Sequence, residues 1–516
     1  MKFNYLKEKH NCLFKLSLAV LTIAIMLSSP AAMGVEKLGK EPVVPLEAAD
    51  ITRMYPHSVL KMEGAAAGHK QLPEYMAIRW VGRGSVSWKV NAPRPGDYEV
   101  ALCYAAHFDG PKLEVVAADS KITGTVHKTK GMFIDEPVPG EKPIDREYLK
   151  NYERVRLGGV LHLPVGISTI TVRVTEPELG DVMDLRSIEL TPVAAKERIT
   201  AEQERAIKSR ASTDWFADAG YGVMFHWNDG SQPRHGPKKP YKEAVRDFNV
   251  EAFVDMVEQT GAGYVVFTLN SYHPHCPAPI ASWEQAHPGW TTKRDLVGEI
   301  ADALDAKGIK LIIYMAEHLI GRPDEVDEPA FLESMINVRF PDSGFDEDTH
   351  VKILTEFGEH YGRKVAGYWF DGWDLIPEQH PSISYERLFK ATKVGNPDRI
   401  IGLNYWIFPD ATLWQEFWAG EISSVQRPAT SRYLKYAAGQ GLQWHGLFML
   451  EGVWGHGRAD SEMEPPTISA EELIKYVRAC MANGGVVSIN MGIYQDGTVG
   501  GKSLKVMQAL CRAFGK

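Results

Sequence analysis

The sequence predicts an α/β fold, a (β/α)8 TIM-like barrel preceded by an all-β jelly-roll or β-sandwich domain, and three observations carry that prediction. From about Val44 to Val193, apolar and polar residues alternate in short runs broken by Gly/Pro turns, which is the period of half-buried strands. From Asp214 onward the period changes. Short apolar runs now alternate with segments whose apolar residues recur at helical spacing, the pattern of βα units. The third observation is length: residues 215–516 hold somewhat more than the about 250 residues that eight such units usually take.

In chain order, residues 1–34 read as a signal peptide. Lys2, Lys7 and Lys9 precede the apolar run Leu13 to Leu27, and Ser28 to Gly34 supplies small residues for cleavage. An exported protein is expected, periplasmic or extracellular. No second apolar stretch approaches the ~20 residues of a membrane span, so no stable membrane insertion is expected. Residues 44–193 form the sandwich domain: Gly84 to Val90 and Tyr98 to Tyr104 alternate around the turn Pro95-Gly96-Asp97, and Ser168 to Val174 alternates after Pro164-Val165-Gly166. Tyr104, His107 and Phe108 are its candidate glycan contacts. Residues 194–214 are charged and helix-prone and read as a linker helix.

The barrel follows. Tyr221 to Trp227 is strand one, and Val250, Phe253, Met256 and Val257 mark a helix ending before Gly261. Ala262 to Asn270 is strand two, Lys310 to His318 strand three and Val365 to Asp371 strand four, with helices marked by Leu296, Ile300 and Leu304 and over Asp346 to Gly362. Arg399 to Trp406, Glu421 to Arg427 and Leu447 to Val453 are expected strands five to seven, and Val486 to Met491 is strand eight. Helices carrying Leu473, Val477 and Cys480, then Leu504, Met507 and Leu510, complete the pattern.

The formal net charge of −9 and the lack of a basic stripe exclude a nucleic-acid partner. Beyond Cys12 the cysteines are Cys103, Cys276, Cys480 and Cys511, with no close pair and therefore no disulfide framework.

In a parallel barrel the C-terminal tips of the strands share one mouth. Strand four ends Trp369-Phe370-Asp371-Gly372-Trp373, a carboxylate set between indoles. That combination suits a sugar, because aromatic faces pack on pyranose C–H surfaces and a carboxylate attacks or stabilises an oxocarbenium-like centre. The other tips offer His226 and Trp227, His273 and His275, Tyr314, Asn404 and Trp454, with Glu416, Glu421 and Glu451 as further carboxylates. His273, His275 and Cys276 are spaced too tightly for a zinc finger and no second pair follows, so no metal and no cofactor is expected.

Several of these runs have a shared order: Gly222 to Trp227, Gly261 to Val266, Lys293-Arg294-Asp295-Leu296-Val297, Trp369 to Gly372, Asn483-Gly484-Gly485 through Asn490-Met491-Gly492, and Asp496-Gly497. That order resembles the catalytic domain of the α-L-fucosidases of glycoside hydrolase family 29. The run Trp88 to Val100, with Pro93, Pro95 and Gly96, resembles jelly-roll carbohydrate-binding modules. The resemblance implies a retaining exo-glycosidase, Asp371 matching the nucleophile and His226 a hydroxyl-binding histidine. Glu421 begins the segment where the family carries a variable acid/base glutamate, with Glu416 and Glu451 as alternatives; a short shift places Gln426 there instead. The chain also departs from the family pattern. Tyr272-His273-Pro274-His275-Cys276 stands where paired histidines precede Asp-Gly-Phe, no Glu-Trp pair follows strand one, and Asn404-Tyr405-Trp406 replaces Asn-x-Arg. The implied substrate is an oligosaccharide or polysaccharide ending in α-L-fucose or a related deoxysugar. The rival readings are an exo-glycosidase of different sugar specificity and a glycan-binding protein without an acid/base.

Overall fold

A computed structural model describes residues 42–64, 71–72, 77–129, 152–177, 180–271, 273–316, 346–373, 382–405, 412–421, 428–434 and 441–516. The expected signal at 1–34, Tyr272, Trp406, Gln426 and most of the expected sixth strand lie outside them.

The N-terminal strands form two six-stranded sheets, and in each the alternation read from the sequence sets which side is apolar. In one sheet Gly84–Ala92 and Gly166–Glu176 are central, paired antiparallel from Gly166 opposite Ala92 to Val174 opposite Gly84. In the other, Gly96–Ala105 lies between Glu153–Leu163 and Asp181–Pro192. Val86, Trp88 and Val172 from the first sheet and Val100, Leu102 and Leu190 from the second are fully buried in one apolar cluster. Tyr104 belongs to that cluster at 1% exposure, and its hydroxyl accepts from the backbone of His127. This overturns its expected role as a surface contact: it stands in the inward phase of its strand. Phe108 is 62% exposed on the following loop, beside His107. A helix, Lys196–Lys208, follows the sheets.

Beyond it the strands are parallel. Their order is Ile400–Leu403, Val365–Asp371, Lys310–Ala316, Tyr264–Asn270, Tyr221–Phe225, Val486–Asn490 and His445–Met449. Between the two edges runs the segment 416–421. Glu416 and Phe417 donate backbone N–H groups to Ile401 on one side, while Gln443 and Leu447 on the other donate to the carbonyls of Glu416 and Gly420. Both faces are apolar, as a parallel sheet covered by helices requires. Met224, Tyr264, Ile312, Trp369, Phe417 and Leu447 pack together on the inner face; Val223, Val265, Phe267 and Leu311 face the helices.

The helices begin and end where their caps dictate. Asn249, Asp295, Asp346 and Ser469 each accept a backbone N–H of the first turn, and Ser469 with Glu472 forms a reciprocal capping box. Gly261 ends Val250–Thr260 at φ 69°. No helix among the described residues is long and apolar enough to cross a membrane.

Candidate active site

The site is assembled at the C-terminal ends of the parallel strands. Asp371 is the last residue of its strand, and Gly372 turns the chain away at φ 84°, a conformation that favours glycine. Strand alternation puts Trp369 and Asp371 on one face, and register places Tyr314 opposite Trp369 and Ala316 opposite Asp371. The Tyr314 and Trp369 rings therefore stack, with centroids 5.1 Å apart and planes 17° apart. Stacked in this way, the Tyr314 hydroxyl donates to Asp371 Oδ2 at 2.5 Å.

The other oxygen of Asp371 is held from the neighbouring strand. Asn404 follows Ile400–Leu403, its backbone N–H donates to the Phe370 carbonyl at 2.7 Å, and its side chain is 2% exposed. Its Nδ2 donates to Asp371 Oδ1 at 2.8 Å and also to Glu421 Oε2. Glu421 and Asp371 are both half-buried. Two carboxylates thus share one amide nitrogen at the mouth.

His226 lies beyond the end of Tyr221–Phe225, between the rings of Tyr314 at 5.0 Å and Trp454 at 4.8 Å. Its Nδ1 meets Asn490 Oδ1 at 2.8 Å. Asn490 is fully buried, and its own amide donates to the carbonyls of Val453 and Trp454, so the oxygen must face the ring. Nδ1 is then the protonated nitrogen and Nε2 the free acceptor. Burial pushes the imidazole pKa down, against the Asn490 hydrogen bond and the charge of Asp371, which keeps it neutral.

The loops after strands one and two build a second group. His273 Nδ1 meets Asp229 Oδ2 at 2.6 Å, and its ring stacks on Trp290 at 5.9 Å and 14°. His275 packs on Tyr241 at 4.1 Å and Trp290 at 4.4 Å. Burial pushes its pKa down to about 4, more than the charge of Asp229 raises it. The Cys276 thiol beside it is fully buried, and burial raises its pKa well above the usual thiol range.

Four expected site residues are placed elsewhere. Trp227 is fully buried, donates its indole N–H to the Gln495 carbonyl at 3.1 Å and packs on Phe248 and Phe267. It stands next to His226 and so faces the helix layer rather than the mouth. Trp373 is 2% exposed and packs on Tyr385, which leaves no indole face for a ligand. Glu416 is 1% exposed; it accepts from the backbone N–H groups of Ala211 and Ile401 and pairs with Lys393 at 2.6 Å. Burial raises its carboxyl pKa, and the nearby ammonium only partly offsets this. Glu451 is 4% exposed and accepts from the Gly492 backbone at 2.9 Å, its pKa likewise raised by burial. Asn490 is absent from the site residues expected from the sequence, although the rule that picks strand tips picks it as well.

The family described as Alpha-L-fucosidase matches residues 235–512, more than half of the chain. Among curated proteins, the tissue alpha-L-fucosidases of Homo sapiens and Bos taurus are each 27% identical over 141 residues, 21% of this chain. The matched region spans only 30% of the length of each of these relatives. Among solved structures, the alpha-L-fucosidase AlfC from Lactobacillus casei in complex with its alpha-L-fucose product is 18% identical with a TM-score of 0.42, covering 58% of this chain and 96% of that one.

Proposed function

The chain belongs to the alpha-L-fucosidase family, and from that premise we propose that it is an exported retaining exo-glycosidase releasing terminal α-L-fucose, or a related deoxysugar, from glycans. One observation carries the mechanism: Asn404 Nδ2 donates to both Asp371 and Glu421. The two N–H bonds of an amide nitrogen diverge by about 120°, so in ideal geometry acceptors on both lie about 5 Å apart, and we read the pair at that spacing. Retention calls for carboxyl groups roughly 5 to 5.5 Å apart, whereas inversion needs more room for a water.

In the first step an Asp371 oxygen bonds to the anomeric carbon as the glycosidic C–O bond breaks, and the departing oxygen takes the proton of Glu421. In the second, water gives a proton to Glu421 and attacks the same carbon, and the bond to Asp371 breaks. Tyr314 and Asn404 fix the two Asp371 oxygens before reaction, so little reorganisation is left for the transition state. The neutral His226 presents Nε2 as an acceptor for a sugar hydroxyl, and Trp454 beside it offers an apolar edge. His273 and His275, held by Asp229 and Trp290, are assigned to the outer part of the same pocket. No cofactor takes part.

The segment 416–421 bonds to both sheet edges, which supports reading it as a sixth strand and the sheet as a (β/α)8 barrel. The two N-terminal sheets, with their shared apolar cluster, are read as a β-sandwich resembling a carbohydrate-binding module.

The test is hydrolysis of a panel of aryl glycosides by the purified protein. Turnover confined to the α-L-fucoside supports the assignment. Turnover of another glycoside alone transfers the mechanism to a different sugar, in keeping with the altered loop at His273 to Cys276. Binding of glycans without any turnover overturns the enzyme reading.

A further inference from the structure

One buried cation of the N-terminal sheets, Arg186, reaches the residue next to the amide that holds the reacting carboxylates. Arg186 lies within Asp181–Pro192 and is only 3% exposed. Along this strand Leu185 pairs with Tyr104 and Ser187 with Cys103, so Arg186 is an extra residue at a register shift, a β-bulge. Bulges bend a strand and re-aim the side chain they carry. Here the guanidinium leaves the strand toward the parallel sheet, where Nη2 donates to Tyr405 Oη at 3.1 Å. It also lies 4.7 Å from the Tyr55 ring centroid and 5.6 Å from that of Tyr405, so aromatic faces take the place of lost water.

Tyr405 is the residue after Asn404. It is 6% exposed and packs in the apolar cluster that also takes in Cys103, Ala105 and Tyr152 of the N-terminal sheets. The hydroxyl of Tyr405 is thus anchored in one module, while the backbone beside it carries the amide that holds Asp371 and Glu421. A small rotation of this dipeptide moves Asn404 Nδ2 relative to both carboxylates together.

We propose that Arg186 is a positioning residue for the reaction: through Tyr405 it sets Asn404, and with it the separation and orientation of Asp371 and Glu421. The N-terminal sheets are then a working part of the catalytic centre and not only a tethered glycan-binding module. This rests on the reading of Asp371 and Glu421 as the reacting pair.

The experiment measures kcat and KM for the full chain on the aryl glycoside it hydrolyses best. Tyr405→Phe, Arg186→Met, their double variant and Asp371→Gly are compared with the wild type, and thermal unfolding is followed for each. Tyr405→Phe removes one oxygen and keeps the packing, so it folds if any of these variants does. The expected result is a roughly tenfold fall in kcat for each single variant, because misplaced catalytic groups lose rate steeply. KM changes by less than about twofold, since the lost interaction acts in the transition state. The double variant is expected to be no slower than either single one, since both cut the same link. Wild-type kcat in folded Tyr405→Phe, or losses that multiply in the double variant, overturns the proposal while leaving an inactive Asp371→Gly in place. Full activity in Asp371→Gly instead removes the reacting pair itself, and the proposal falls with it.

Discussion

Glu416 and Glu421 stand on one short segment, yet the structure treats them as opposites. Glu416 is enclosed, with two backbone N–H groups and the Lys393 ammonium on its oxygens. Glu421 is half-buried and shares its donor with a second carboxylate. The first carboxylate has its hydrogen-bonding capacity spent on the linker at Ala211, the strand at Ile401 and the helix that ends at Thr392. It joins elements. The second is half-buried and shares the Asn404 amide with Asp371, the position in which we propose that it meets a substrate oxygen. The contrast teaches that neither sequence position nor carboxylate chemistry distinguishes a structural glutamate from one proposed to react. What distinguishes them is burial and company: Glu416 is enclosed among structural partners, while Glu421 is half-buried and shares a donor with Asp371.

The contrast can be broken most strongly at Asp371. Asp371→Asn keeps the size of the side chain and removes the proposed nucleophile, so turnover is expected to fall by roughly 10⁴-fold or more while the unfolding midpoint stays near that of the wild type. Glu421→Gln comes next. Loss of a general acid costs roughly 10²- to 10⁴-fold on substrates whose leaving group needs a proton, and far less on aryl glycosides with acidic phenols. Comparing the two leaving-group classes checks this, and equal losses on both would assign Glu421 another role.

Glu416→Gln is the mirror experiment. It strands the buried Lys393, whose ammonium burial already disfavours. A loss of about 3 kcal/mol of stability is expected, as when one partner of a buried ion pair is removed. Urea unfolding measures it, and kcat of the remaining folded protein should stay within about twofold of the wild type. The effect that shows only as pH is lowered concerns His445, fully buried between the Ala419 carbonyl and Ser488, where burial pushes its pKa down to about 4. Unfolded, it takes up a proton below about pH 6.5. The native state therefore binds fewer protons in that window, and stability is lost as pH falls from about 6.5 toward 4, by about 1.4 kcal/mol per pH unit from this residue. Urea midpoints across that range should show a shallower dependence in His445→Asn.

Much of this was legible in the sequence where neighbours along the chain decide the outcome. Val365–Asp371 begins and ends as expected, because a short apolar run closed by Asp-Gly leaves few alternatives. The change of period near Asp214 separated the antiparallel sheets from the parallel one for the same reason. His226 and Trp227 show the limit. Both follow the last paired residue of their strand, and which of them faces the mouth depends on Asn490 and Gln495, far along the chain. Glu416 is a similar case, since its partners Ala211, Lys393 and Ile401 are brought together only by folding. Arg186 was invisible for another reason: a bulge shifts the strand's phase by one residue, and alternation read from sequence carries no mark of it.

The central claim is that Asp371 and Glu421 work at the spacing of a retaining pair. The direct measurement is the anomer first released from an aryl α-L-fucoside, followed by proton NMR before mutarotation equilibrates the product. Release of the α-anomer by the wild type, with turnover abolished in Asp371→Gly, is the predicted result. Release of the β-anomer, or undiminished turnover in Asp371→Gly, would contradict it.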